Sequence, residues 1–114
     1  MTTLYGIPNC DTVKKARNWL NSKEIPYKFH DFRADGLAKS QVKTWIAAIG
    51  LEKLINKRST TWKNLSSKQQ NMLDEKSAIE LILENPTLIK RPLIETPKDT
   101  LVGFKEKEYL ALFS

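Results

Sequence analysis

A chain of 114 residues has room for one domain with its own core, and a content of 40% hydrophobic and 28% charged residues excludes a disordered or low-complexity chain. The single cysteine excludes an internal disulfide framework and any Cys-rich zinc or iron–sulfur site, so no metal is expected. Lys and Arg number 19 against 13 Asp and Glu, a formal charge of +6 that suits an anionic partner, whether small oxyanion, peptide or nucleic acid, without choosing among them.

The opening residues carry no basic stretch followed by an apolar run, so no signal peptide is expected. No apolar segment approaches the roughly 20 residues a membrane span needs. A cytoplasmic, soluble protein with no membrane contact is the expectation. Thr3 to Ile7 has strand character and stops at Pro8-Asn9. From about Thr12, Val13, Ala16 and Leu20 fall at i, i+3 and i+7, which predicts a helix closed by Asn21-Ser22-Lys23. Tyr27 to Phe32 alternates aromatic and polar side chains, the period of a half-buried strand. Strand, helix, strand with short connections predicts a βαβ unit.

The middle of the chain changes period. Val42, Trp45, Ile46 and Ile49 form one apolar helical face over Gln41 to Ile49, ended by Gly50. Leu54 to Trp62 has no sustained period and is expected to be loop or irregular turn. Ser66 with Gln69 three residues later makes a capping box. A further helix from about Glu75 to Leu83 is expected to bury Ala78, Ile79, Ile82 and Leu83, with Asn85-Pro86 as its stop. After Leu88-Ile89 and Lys90-Arg91-Pro92, two short strands, Leu93 to Glu95 and Asp99 to Phe104, suggest a hairpin turned at Thr96 to Asp99. Lys105 to Phe113 closes the chain as a helix. The expected architecture is α/β, a single domain of residues 1–114 with a thioredoxin-like βαβ–ββα order and a helical insertion at about 38–86. No heptad or large apolar patch is visible, and a monomer is the default.

Cys10 follows a strand and two turn residues and immediately precedes a helix, where unpaired N–H groups and the helix dipole favour a thiolate. Lys14 and Lys15 act in the same direction, whereas Asp11 opposes it. The alternative is a cysteine used as a small buried hydrophobe. Cys10-Asp11-Thr12-Val13 ends in valine, so any disulfide Cys10 makes must be with another molecule. Arg58 and Arg91 are the candidate oxyanion binders, since guanidinium groups pair with carboxylates and phosphate-like anions through two donors. Two solvated arginines in a basic protein are the competing explanation. Sequence alone does not decide whether the Arg91–Pro92 bond is cis. His30 is expected to be a satisfied strand residue, Trp19 and Trp45 packing residues, and Trp62 a candidate lining of a site. The remaining basic residues are dispersed, and no nucleic-acid partner is expected.

Tyr5-Gly6-Ile7-Pro8-Asn9-Cys10-Asp11-Thr12-Val13-Lys14-Lys15-Ala16, then Asn85 to Leu93, then Val102-Gly103-Phe104, resemble in that order the ArsC-type arsenate reductase family. The family sits in a group that includes Spx regulators, and the first block is most similar to its YffB-like branch. The resemblance implies a thioredoxin-like fold with a helical insertion, Cys10 as the catalytic nucleophile, and Arg58 and Arg91 as binders of a substrate oxyanion. Asn9, Lys14 and Lys105 complete the implied substrate-binding set, with Pro92 and Thr12 as structural neighbours of the site. Glutathione, with glutaredoxin as a further partner, is implied as the source of electrons, and no bound cofactor. Arsenate reductases of this type carry a third arginine shortly after the last strand's glycine, where this chain has Phe104 and Lys105. A charge-assisted hydrogen bond of this kind contributes about 1.5–3 kcal/mol, and a lysine offers a point charge rather than a fork. A glutathione-linked disulfide tolerates that change better than arsenate does. The implied function is a glutathione-dependent thiol reductase, with an arsenate reductase proper and an Spx-like RNA polymerase-binding regulator as alternatives. Spx-type redox sensing uses Cys-x-x-Cys, and Val13 removes the second thiol.

Overall fold

The computed structural model describes residues 2–71 and 74–114. In chain order the elements are β1 (Thr3–Gly6), α1 (Asp11–Ser22), β2 (Lys28–Asp31), α2 (Lys39–Ile49), α3 (Leu51–Leu54), α4 (Thr60–Lys63), α5 (Ser67–Asn71), α6 (Glu75–Glu84), β3 (Leu93–Glu95), β4 (Thr100–Val102) and α7 (Glu106–Leu112). The backbone gathers into two compact units, Met1–Gly36 with Arg91–Ser114, and Leu37–Lys90.

The first unit carries the sheet, in the order β2-β1-β3-β4. β1 and β2 run parallel, joined through α1 as the βαβ pattern predicts, and the other two pairings are antiparallel. Val13, Ala16 and Leu20 are the buried stripe of α1. The chain leaves that helix through Glu24 in the left-handed region (φ 56°), with the Ile25 N–H donating to the Leu20 carbonyl at 3.0 Å. This is a helix-terminating turn made without glycine. Leu4, Ile94, Ala16, Leu20, Tyr109 and Leu112 form one core, flanked by Phe29, Leu101 and Phe104. Each fully buried Leu or Ile there contributes about 1.5–3 kcal/mol. The hairpin turns where expected: the Thr96 N–H donates to the Asp99 carbonyl at 2.9 Å. β4 is shorter than predicted because Gly103, at φ 78°, bends the chain out of the sheet.

The second unit is helical. Val42 and Trp45 of α2 are buried, as are Ala78, Ile79 and Ile82 of α6, and the two helices touch. Leu83, expected in the core, is only half-buried. The Ser66–Gln69 capping box forms as predicted: the Gln69 N–H donates to Ser66 Oγ at 3.1 Å, and the Ser66 N–H to Gln69 Oε1 at 2.9 Å. The largest departure lies at 54–62, expected to be irregular. Leu54 ends α3, Ile55 bridges to Ile89, and Ser59 caps α4 by accepting the Trp62 N–H at 3.1 Å. Leu54 and Ile55 are buried at 0% and 4% exposure, so packing orders a segment that has no period of its own. The Asn56 N–H donates to the Leu88 carbonyl and the Lys90 N–H to the Leu54 carbonyl, each at 2.8 Å. These bonds hold residues 88–90 in the helical unit, which ends at Lys90 rather than near residue 86.

Candidate functional site

The local structure around Cys10 begins at the end of β1. The Cys10 N–H reaches the Ile7 carbonyl at 3.4 Å across the Pro8-Asn9 turn, and the Cys10 carbonyl accepts the Lys14 N–H at 3.0 Å. Cys10 is therefore the N-cap residue of α1, in extended backbone (φ −89°, ψ 125°), and it makes no side-chain cap hydrogen bond. Its thiol is free and the residue is half-buried. Asn9 and Lys14 are exposed on either side of it, and Thr12 is half-buried in the first turn of α1. Asp11, in the same turn, places a carboxylate at the positive end of the helix, where it complements the dipole.

Strand register decides what else lies at this end of the sheet. Thr3, Leu4 and Tyr5 face Glu95, Ile94 and Leu93. Leu93 faces Val102, and the Gly103 N–H donates to the Pro92 carbonyl at 2.8 Å. The Cys10 turn, Arg91-Pro92 and Gly103-Phe104-Lys105 thus leave the sheet at one common end. The Arg91–Pro92 peptide is cis. Pro92 is buried; Arg91 is half-buried, and its Nε is enclosed with no hydrogen-bond partner among the described residues. Lys105 is exposed and is the N-cap of α7.

Arg58 belongs to the helical unit, where it is exposed in the turn before α4 and its N–H donates to Asn56 Oδ1 at 3.0 Å. Trp62 is half-buried in α4, with the Lys57 ammonium 5.8 Å from its ring centre. A cleft of about 650 Å³ in the same unit is lined by residues of α2 and α6, among them Lys39, Lys43 and Ile79, and by none of the predicted site residues. His30 is satisfied within the sheet unit: Nε2 pairs with the Gly36 carbonyl at 2.7 Å, and the ring lies 4.8 Å from that of Tyr5. Arg17 is also occupied, donating through Nε to Tyr27 Oη at 3.2 Å with its guanidinium 4.2 Å from the Phe29 ring centre. Among the described residues, no group of three or more His, Cys, Asp or Glu side chains gathers as a metal site would require. None of their helices is long and apolar enough to cross a membrane.

One position that bears on Cys10 escaped the sequence analysis. A Cβ on Gly6 would lie 2.8 Å from Val13 Cγ2, so glycine lets the first turn of α1 sit on the strand end. A glycine inside a strand pattern is the sequence signal for such an approach.

A four-stranded mixed sheet with α1 and α7 packed on it, a cysteine at the N-cap position of the first helix and a cis-proline just before the third strand define a thioredoxin-like protein. Residues 5–112 match the model of the ArsC family, and the chain belongs to that family. The solved structure of a YffB protein is 43% identical, with each chain covered in full and a TM-score of 0.95. An arsenate reductase-related protein from Brucella melitensis is 40% identical, over 99% of this chain and 94% of that one, with a TM-score of 0.79. The global transcriptional regulator Spx of Listeria innocua is 34% identical over 110 residues, 95% of this chain and 83% of the regulator.

Proposed function

We propose that the protein is a glutathione-dependent thiol reductase in which Cys10 is the catalytic nucleophile. The observation that carries this is that the α1 N-terminus, bearing the chain's single cysteine and no side-chain cap hydrogen bond, and Arg91, whose enclosed Nε has no partner among the described residues, lie at one end of the sheet. The Cys10 thiolate attacks the glutathione sulfur of a mixed disulfide R–S–S–G. A Cys10–S–S–G bond forms, the original S–S bond breaks, and R–S⁻ leaves and takes a proton. The thiolate of a second glutathione then attacks the glutathione sulfur of the adduct, which releases Cys10 as thiolate and forms oxidised glutathione. One disulfide is consumed and one is made, so electrons balance without a bound cofactor. Val13 stands where a second thiol of a Cys-x-x-Cys pair would be, and it is fully buried, so the resolving thiol must come from outside the chain.

Arg91 supplies a guanidinium for a carboxylate of glutathione, and Lys105 adds a positive charge at the same end of the sheet. The enzymatic assignment has relatives on both sides: the Brucella protein is named for arsenate reductase, and the Listeria protein for transcriptional regulation. Intact mass after exposure to oxidised glutathione, arsenate and cell extract separates them. The expected result is one glutathione adduct on the wild-type protein and none on Cys10→Ser, which also loses all glutathione-dependent disulfide reduction. Arsenate-dependent oxidation of glutathione in the presence of glutaredoxin would make arsenate the substrate instead. Capture of the RNA polymerase α-subunit by a protein that takes no adduct would make the chain a regulator.

A further inference from the structure

We propose that Gly6 and Val13 are a matched spacing pair, positioning residues that set how closely the first turn of α1, and with it the Cys10 sulfur, is held against the end of β1. The inference rests on Cys10 being the reacting atom and concerns how the fold aims it. Gly6 is the last residue of β1, buried, and its carbonyl accepts the Phe32 N–H at 2.9 Å. The strand end is therefore held from the β2 side and cannot retreat freely.

On the α1 side, a Cβ at Gly6 would stand 2.8 Å from Val13 Cγ2, 3.5 Å from Cγ1 and 3.7 Å from Cβ. Real carbon contacts do not come that close, so something must move. Val13 is a poor candidate to yield alone. It has 0% exposure, and a β-branched side chain in a helix has one strongly preferred rotamer. What remains is the first turn of α1. That turn is closed by the Lys14 N–H on the Cys10 carbonyl at 3.0 Å, with Val13 inside it, so a shift at Val13 carries Cys10 along. The small residue on the strand and the branched residue on the helix are complementary, and changing one should be repaired by shrinking the other.

Alkylation of Cys10 by iodoacetamide tests this, because it needs neither substrate nor partner. Gly6→Ala is expected to slow alkylation at pH 7 about ten-fold, in keeping with the cost of sub-ångström to ångström misplacement of a reacting group. Gly6→Ala/Val13→Ala is expected to return the rate to the wild-type value. Ile94→Val, which thins a core cluster of the same unit to which neither Val13 nor Cys10 belongs, serves as the control for lost stability and should alkylate at the wild-type rate. The proposal is overturned if Gly6→Ala reacts like wild type, if it is slowed no more than Ile94→Val, or if the double variant stays slow. Should Gly6→Ala alone fail to fold, a folded double variant reacting at the wild-type rate supports the pair, and a folded but slow one overturns it. Failure of the thiol reductase assignment is read elsewhere, as a wild-type protein that takes no glutathione adduct while still being alkylated.

Discussion

At the scale of single residues, the site divides by the kind of information that places each member. Cys10 is legible from the chain alone, because strand, turn and helix in immediate succession leave a residue at a helix N-terminus and nowhere else. Arg91 is not, since its place at the same end of the sheet as the Cys10 turn follows from the antiparallel pairing of β1 with β3, two elements almost ninety positions apart. Gly6 was missed because its role is a distance to Val13, and one-dimensional patterns carry no distances. If Arg91 binds a carboxylate of glutathione, its fork and its charge should be separable. Charge-assisted hydrogen bonds are worth about 1.5–3 kcal/mol, so Arg91→Ala should slow formation of the Cys10 adduct from oxidised glutathione by roughly 10- to 100-fold. Arg91→Lys should fall between the two, and neither should slow reaction with an uncharged disulfide such as hydroxyethyl disulfide. Equal slowing of both disulfides would show that Arg91 supports the site rather than the anion.

At the scale of elements, what was readable is what carries a local signal. The Ser66–Gln69 box, the hairpin at Thr96 to Asp99 and the apolar stripe of α2 are short-range patterns, and each forms. α3 and α4 leave no local signal, because Leu54, Ile55, Leu88 and Ile89 are buried and Ile55 bridges to Ile89 more than thirty positions on, an order no short pattern records. Asp74 offers a local signal with a pH dependence. It caps α6, accepting the Ser77 N–H at Oδ1 (2.8 Å) while its own N–H donates to Ser77 Oγ (3.1 Å). The Ser77 backbone and side-chain hydrogen bonds hold its carboxyl below the ordinary value of 3.8. A carboxylate lowered on folding stabilises the native state above its unfolded value, and that contribution disappears as pH falls through the folded value. Urea unfolding should therefore find Asp74→Ala less stable than wild type at neutral pH, with the gap closing as the medium is acidified below 3.8. Asp74→Asn keeps an acceptor at the cap and should show a smaller gap at neutral pH, which also shrinks in acid because only the wild-type cap loses its charge there. A gap for Asp74→Ala that is the same in acid and at neutrality would exclude the ionised cap.

At the scale of the whole molecule, the order βαβ, helical segment, ββα was visible from periodicity, and it is the order in which the sheet unit is built. What periodicity could not show is how that unit packs α7. Tyr109 lies edge-on to Trp19 and Phe104, with ring centres at 5.6 and 4.8 Å, and Phe113 completes the cluster. The Tyr109 hydroxyl is buried, and it has no hydrogen-bond partner among the described residues, as is also true of Trp19 Nε1. Burial, reinforced by the neighbouring Glu108 carboxylate, pushes the phenol above its ordinary value of 10.0. The folded chain then keeps this proton at pH values where the unfolded chain has released it. The contribution is complete below pH 10.0 and is lost as pH rises beyond it, because ionisation favours the unfolded state. Tyr109→Phe removes both the titration and the unpaired hydroxyl, which as a buried group costs about 1–3 kcal/mol. Chemical denaturation at pH 7 should find the phenylalanine variant at least as stable as wild type. Between pH 10 and about 11 its advantage should grow, since only the wild-type protein carries the Tyr109 ionisation. A variant that is less stable at pH 7 would mean the hydroxyl is satisfied after all, and stability curves that stay parallel through the alkaline range would mean that Tyr109 ionises as freely folded as unfolded.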